Sequence, residues 1–192
     1  PALPPEDTRT VIEILDRNFS PLQRAEELVI ARRAAAVEQW SRSAQGYARA
    51  APLADADRLG HGTVLARLGR HREAITVFQS IRGRDLLAKS RYQRARSILR
   101  IGTRAAGMVA LRQVFGARTA DSTTAAAAGF LRADLLVESG DDGAARVAYL
   151  KVARRFPGTS YGARAGFEAA LILYLRGNAR NAAREFTALA ER

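Results

Sequence analysis

Three aromatic side chains that recur at nearly equal intervals are the residues best suited to form a binding surface. Tyr92, Phe130 and Phe167 stand 38 and 37 residues apart, and each lies ten residues before a glycine. Exposed in a row, such rings would form a platform for a sugar or a peptide. Arg96 and Arg164 would flank this platform and could pair with carboxylates. The alternative interpretation is that the rings only pack one repeat against the next.

Arginine dominates the charge of the chain. The net charge is +12, and 29 of the 31 basic residues are arginine. One interpretation is a face that binds a polyanion. The other interpretation is a solvated surface whose cations are arginine because the gene comes from a GC-rich genome. Nucleic acid is a third candidate partner on charge alone, although no nucleic-acid-binding motif is present. Two groups recur mainly at three- and four-residue steps, as on a helical ridge: Arg91, Arg94, Arg96, Arg100 and Arg104, and Arg176, Arg180 and Arg184.

Few residues are suited to catalysis or metal binding. The chain has no cysteine, and no second imidazole or carboxylate stands at ligand spacing beside His61 or His71. Two histidines are too few to favour a serine nucleophile with its base, and no phosphate-binding glycine loop occurs. Glu26 and Glu27 fall in the first turns of a predicted helix, where they complement its dipole. We expect no catalytic residue, no metal and no cofactor in this chain.

The composition favours an all-α fold. Alanine is the commonest residue, with 39 copies, while aromatic residues make up only 7%. Alanine is the best helix former and lets helices approach closely, whereas a sheet would need more β-branched and aromatic side chains. No apolar run reaches the length of about 18 residues that a membrane span requires.

Four glycines mark a repeat. Gly69, Gly102, Gly140 and Gly177 are separated by 33, 38 and 37 residues, which is typical of stacked helix pairs. A small residue follows each glycine by five positions, and a large apolar residue follows that by four, so both lie on one helical face. The small residues are Ala74, Gly107, Ala145 and Ala182, and the large ones are Phe78, Leu111, Tyr149 and Phe186.

The repeating unit is therefore helix A, a glycine turn, helix B and a loop. Each glycine is expected to close helix A with a positive φ, and Asp141 or Asp142, and also Asn178, to cap the next helix. Pro157 ends a helix B, and Thr159 or Ser160 caps the helix A that follows. Near the N-terminus, residues 20–23 (Ser-Pro-Leu-Gln) predict a capping box.

These signals predict a right-handed α-solenoid of tandem helix-turn-helix repeats of the tetratricopeptide (TPR) kind. We expect irregular helices over residues 1–55 and one continuous superhelix over 56–192, with repeats at about 56–85, 86–120, 121–157 and 158–192. The predicted helices number eleven: 8–18, 21–34, 37–50, 56–68, 71–81, 86–100, 104–116, 122–139, 142–155, 160–176 and 179–191.

Two short stretches resemble known families. The run Phe156-Pro157-Gly158-Thr159-Ser160-Tyr161, with the small and aromatic residues after it, resembles TPR repeats of bacterial cell-envelope proteins. The run Arg91-Tyr92-Gln93-Arg94-Ala95-Arg96 is similar to an Arg-Tyr-Trp-x-Ala-Arg stretch of soluble lytic transglycosylases, with Gln93 where Trp is usual. The whole arrangement resembles the N-terminal helical superhelix of those enzymes.

That resemblance implies a function. In those enzymes a lysozyme-like domain with one catalytic Glu follows the helices and cleaves peptidoglycan, so we expect such a domain after Arg192. It is absent from this chain: Glu138-Ser139 is the only Glu-Ser pair, and no Gly-Leu-Met-Gln follows it. The implied role is a non-catalytic scaffold in the periplasm or cell envelope that braces the catalytic domain and guides glycan strands. The alternative is a stand-alone envelope adaptor that binds a protein or peptide in its groove.

Overall fold

The computed structural model of the chain describes residues 4–118 and 120–191. Over these residues the fold is all α, as predicted, with no strand. The eleven helices are α1 (Pro5–Asn18), α2 (Arg24–Ala36), α3 (Trp40–Arg49), α4 (Asp55–Arg67), α5 (His71–Gln79), α6 (Arg84–Ile101), α7 (Arg104–Gly116), α8 (Ser122–Glu138), α9 (Asp142–Arg155), α10 (Ser160–Leu175) and α11 (Ala179–Ala190).

The chain divides into two compact units, Pro1–Ile101 and Gly102–Arg192. In the first unit α2 packs on α3, α3 on α4, α4 on α5 and α5 on α6. In the second unit the same serial packing joins α7 through α11, and α8 also contacts α10. Contact between a helix A and the helix A of the next repeat is the arrangement of stacked helix pairs. The predicted domain boundary near residue 55 stays a prediction.

The turns at Gly69, Gly140 and Gly177 share one hydrogen-bonding pattern. Their φ angles are 75°, 77° and 79°, in the left-handed region where glycine has no Cβ to clash. Each glycine N–H donates to the carbonyl three residues back, and the next N–H donates to the carbonyl five residues back. This is the Schellman cap, and it ends helix A so that helix B begins two residues later.

The small and large residues predicted to share one helical face are buried, except for Phe186, which is half-buried. Ala74, Ala145 and Ala182 have no exposed surface, and Tyr149 is almost fully buried beside Ala145 in the core of the second unit. Because these alanines carry only a methyl group, the backbones of neighbouring helices can approach closely. Within each unit, neighbouring helices thus bury their apolar faces against one another, and a longer side chain at these alanines would displace its neighbours.

The first third of the chain contains a repeat that lacks a glycine. Glu38 has a φ of 63°, and its N–H and that of Gln39 donate to the carbonyls three and five residues back, as in the glycine turns. Ser43 and Tyr47 follow Glu38 by five and nine residues and are both buried. The Ser43 hydroxyl donates to the Ala31 carbonyl of α2 over 2.7 Å. The pair α2–α3 therefore follows the same pattern as the later repeats, and this explains why α3 begins at Trp40, not at the predicted Val37.

The helix caps are confirmed in part. The side chains of Asp141 and Thr159 accept the N–H groups of Ala144 and Gly162 over 3.0 Å each, as predicted. The predicted cap at Asn178 is wrong, because its side chain makes no cap hydrogen bond.

The capping box near the N-terminus lies three residues later than predicted. The Glu26 carboxylate accepts the N–H of Gln23 over 2.8 Å, and α2 begins at Arg24. Glu26 completes the reciprocal cap because it stands three residues after Gln23, so the capping box begins at Gln23 and not at Ser20.

The strained turn at Glu38 gives a test of this assignment. Glu38→Gly should stabilise the protein by about 1 kcal/mol, because a side chain in the left-handed region costs about that much. The matched variant Gly69→Ala places a Cβ at the equivalent turn and should destabilise by a similar amount. Urea unfolding followed by circular dichroism measures both. A loss of stability in Glu38→Gly would show that the two turns are not equivalent.

Candidate functional site

The three aromatic residues of the predicted platform occupy different environments. Tyr92 lies on α6 of the first unit and is half-buried, whereas Phe130 on α8 and Phe167 on α10 belong to the second unit. The Phe130 side chain is only 4% exposed, and that of Phe167 is 49% exposed. The equal spacing in the sequence therefore does not give three equally open rings.

Phe130 packs between repeats. Its ring centroid lies 5.2 Å from that of Tyr149 and 5.6 Å from that of Tyr161, and the Arg164 guanidinium lies 4.9 Å from the ring centre. The ring is therefore enclosed by α9 and α10, and a ligand has no open face of Phe130 on which to stack. The prediction that Phe130 belongs to an open platform is wrong, because α10 covers this face of α8. Its role is the packing that the alternative interpretation described.

Phe167 is the equivalent residue one repeat later, and it contacts Phe186 of α11 with ring centroids 5.3 Å apart. No other described helix of this unit covers it as α10 covers Phe130. The ring is available to a partner, and whether it binds one stays a prediction.

A partly buried carboxylate lies beside the Phe130 cluster. The Tyr149 hydroxyl donates to Asp134, and Arg164, which covers Phe130, is bonded to Glu168 over 3.4 Å. Burial raises the pKa of Asp134, while the Tyr149 hydrogen bond and the Arg164 charge act in the opposite direction. Burial and the neighbouring Asp134 raise the pKa of the Tyr149 hydroxyl. Sequence reasoning missed Asp134, although a lone carboxylate inside an apolar helix is a signal that could have found it.

A basic stripe runs along α6. Lys89, Tyr92, Arg96 and Arg100 follow one another at steps of three and four residues, so they share one face of the helix. The guanidinium of Arg96 lies 5.9 Å from the centre of the Tyr92 ring and donates to Gln93 over 3.2 Å. We call the four residues Lys89, Tyr92, Arg96 and Arg100 the α6 stripe. It is about 16 Å long, given the rise of a helix per residue.

The cations of α6 have no ion-pair partner in the described part of the chain. Within residues 4–118 and 120–191, none of the six basic side chains of α6 forms an ion pair. Arginines elsewhere in the first unit do form them. The pairs are Arg32–Asp57, Arg42–Asp16, Arg42–Glu27, Arg49–Glu27, Arg58–Asp55 and Arg70–Glu73. The positive charge of α6 is therefore left for a partner outside the chain or for solvent.

The acids considered for catalysis have structural partners. Glu27 is buried and pairs with Arg42 over 2.8 Å and with Arg49 over 3.0 Å, which joins α2 to α3. The sequence indicated only that Glu27 complements a helix dipole, because a partner 15 or 22 residues away leaves no local pattern. Glu138 is exposed and pairs with Arg104 over 2.9 Å. Both carboxylates are therefore held in ion pairs with arginine.

The two histidines lie apart from any set of metal ligands. His61 stacks on Tyr47 with ring centroids 5.5 Å apart, and burial lowers its pKa. Among the residues that the structure describes, no group of three or more His, Asp or Glu side chains could hold a metal ion. No described helix is long and apolar enough to cross a membrane.

Comparison with known structures agrees with this fold. The chain is similar to MamA (TM-score 0.63, 18% identity, covering 88% of this chain and 90% of that one). It is also similar to the TPR-like repeats of a putative kinesin light chain from Podosopora anserina (TM-score 0.62, 14% identity, covering 87% and 92%). A third similar structure is YrrB, described as a TPR protein with an unusual peptide-binding site (TM-score 0.55, 17% identity, covering 98% and 93%).

These similarities establish the class of the fold. The chain is a TPR-like array of helical repeats, as the glycine spacing predicted. No protein-family model matches the chain, and no curated protein matches it.

The raised pKa of Asp134 predicts a pH-dependent stability. A carboxyl whose pKa is higher in the folded than in the unfolded state stabilises the fold when protonated, and this contribution is lost as pH rises through the folded pKa. Asp134→Asn keeps an oxygen that accepts from Tyr149 but removes the charge. The variant should equal the wild type in acid and exceed its stability at neutral pH by roughly 0.5–1 kcal/mol.

Denaturant unfolding of wild type and variant at several pH values measures this difference. The matched control Glu138→Gln removes an exposed carboxylate from the same helix and should not reproduce the gain at neutral pH. If Asp134→Asn were less stable than the wild type at neutral pH, attraction to Arg164 would outweigh the cost of burial.

Proposed function

We propose that this chain is a non-catalytic helical scaffold that binds an acidic segment of a protein partner on the α6 stripe. The observation that carries the proposal is the set of six basic side chains on the single helix α6, none of which forms an ion pair among the described residues. A TPR-like fold supports it, because stacked helix pairs present helix A side chains to extended segments. YrrB, which has a similar fold, is described as having a peptide-binding site.

The cost of the unneutralised charge supports a partner of opposite sign. Like charges four residues apart on a helix, as at Arg96 and Arg100, each destabilise it by roughly 0.2–0.5 kcal/mol. A carboxylate placed between them would relieve the repulsion and accept two guanidinium hydrogen bonds. The half-buried Tyr92 ring adds a surface on which an apolar side chain of the same segment can pack.

A second candidate is the helical scaffold of a peptidoglycan lytic transglycosylase in the periplasm or cell envelope. It is favoured by the resemblance of residues 156–161 and 91–96 to such proteins. The stem peptides of peptidoglycan carry carboxylates, which would meet the same cations. In this version the chain braces a catalytic domain and guides glycan strands. A catalytic domain with the Glu-Ser motif after Arg192 in the natural protein would support it, and the absence of such a domain would remove it.

Binding of hexaglutamate tests the α6 stripe. The extended peptide spans about 20 Å, enough to follow the stripe from Lys89 to Arg100. Fluorescence anisotropy with a labelled peptide should show binding by the wild type. In Arg96→Gln/Arg100→Gln the affinity should fall about tenfold, as expected for the loss of two charge-assisted contacts.

A matched control separates a site from a general effect of charge. Arg17→Gln/Arg33→Gln removes two exposed arginines of the same unit that have no ion-pair partner among the described residues. Its affinity for hexaglutamate should stay within about twofold of the wild type, because surface charges away from the site contribute little. Equal losses in the two double variants would contradict a site on α6.

Two further probes distinguish the kinds of partner. Retention of the wild type, but not of Arg96→Gln/Arg100→Gln, on purified peptidoglycan would support the transglycosylase version. If duplex DNA bound more tightly than hexaglutamate, with an affinity falling steeply with salt, the polyanion would be nucleic acid and the proposal of a protein partner would fail.

A further inference from the structure

Exposed apolar side chains concentrate on two helices. Among the described residues eleven large apolar side chains are exposed, and six of them lie on α1 with its C-cap or on α10. The three most exposed belong to these places: Leu175 at 73%, Phe19 at 62% and Tyr174 at 58%. Contiguous exposed apolar surface marks an interaction site more often than single residues do.

The preceding repeat shows which kind of structural element can pack on the exposed face of α10. Phe167 stands 37 residues after Phe130, in the equivalent position of the next repeat. Phe130 is covered by α10, whose Tyr161 lies against its ring, whereas Phe167 is half exposed. The exposed face of α10 and α11 therefore resembles the face of the preceding repeat against which a helix packs.

The sequence of α10 strengthens this interpretation. At the same offset of 37 residues, the carboxylates Asp134 and Glu138 of α8 are replaced by Leu171 and Leu175 on α10. Together with Phe167 and Tyr174, the two leucines form an apolar stripe at helical spacing. A helix end that only faced water would gain nothing from leucine at these positions.

The rim of this face is basic. Arg176, Arg180 and Arg184 are exposed at the end of α10 and along α11, and none has an ion-pair partner in the part of the chain that the structure describes. The two acids within α10 and α11 are already engaged, since Glu168 is bonded to Arg164 and Glu185 to Arg146. An occupant of this face should therefore combine apolar side chains with negative charge.

Helix α1 combines exposed apolar side chains with negative charge. Val11 and Ile14 stand three residues apart on its exposed side, and Phe19 follows at its C-cap. Its other side packs on α2 through Ile12 and Leu15. The helix also carries three exposed acids, Glu6, Asp7 and Glu13, which form no ion pair among the described residues.

We propose that α1 of one copy of this protein docks on the α10–α11 face of a second copy, with apolar contact between the two stripes and with Glu6, Asp7 and Glu13 opposite the arginines of the rim. The two surfaces are different, so the contact is heterologous. Such a contact adds copies head to tail unless the rotation between copies closes a ring. Association should therefore continue beyond a dimer as concentration rises.

Two variants block one surface each. Ile14→Glu places a charge on the exposed stripe of α1, and Leu175→Glu places one on the stripe of α10. Both positions are exposed, so the fold should tolerate them, and thermal unfolding by circular dichroism checks this. The matched control Val147→Glu introduces the same charge at an exposed apolar position on α9.

Sedimentation velocity over a range of concentrations gives the readout. The wild type and Val147→Glu should form concentration-dependent oligomers, while Ile14→Glu and Leu175→Glu should each remain monomeric. Mixing the two blocked variants should restore association, but only to a one-to-one heterodimer, because each supplies the single surface that the other lacks.

Three outcomes would overturn the proposal. The first is a wild type that stays monomeric at millimolar concentration. The second is either blocked variant associating by itself, which would place the contact on a like-to-like surface. The third is a mixture of the two folded variants that remains monomeric.

Discussion

The structure depends on the close approach of neighbouring helices at positions that carry only a methyl group. Ala74, Ala145 and Ala182 recur five residues after a left-handed turn, and all three are fully buried. A single helix pair cannot hide the apolar face that these contacts create, so each pair is stabilised by its neighbours. The turns, the caps and the large residues four positions after these alanines hold the helices in the arrangement that allows this close approach.

Much of the fold follows from local signals in the sequence. Glycine turns and caps such as Asp141 and Thr159 depend on residues adjacent in the sequence, so all eleven helices of the described residues begin within three residues of their predicted starts. The turn at Glu38 has no glycine to indicate it in the sequence, although Ser43 and Tyr47 stand at the spacing of the other repeats.

The candidate site was harder to predict for a physical reason. Spacing fixes which face of a helix a residue occupies, but not whether the next repeat covers it, and this is why Phe130 and Phe167 have opposite exposures. Ion pairs such as Glu27 with Arg42 depend on helices meeting in space. The sequence shows how many arginines α6 carries, whereas only the structure shows which of the other arginines form ion pairs.

The central claim is that every helix pair is stabilised by its neighbours, and native-state hydrogen exchange tests it most directly. In the second unit, the amides of α8, α9 and α10 should open together with one shared free energy as denaturant is added. Those of α11, which packs on one side only, should open at a lower free energy. Independent opening of α9, or protection in α11 equal to that in α8, would contradict the account.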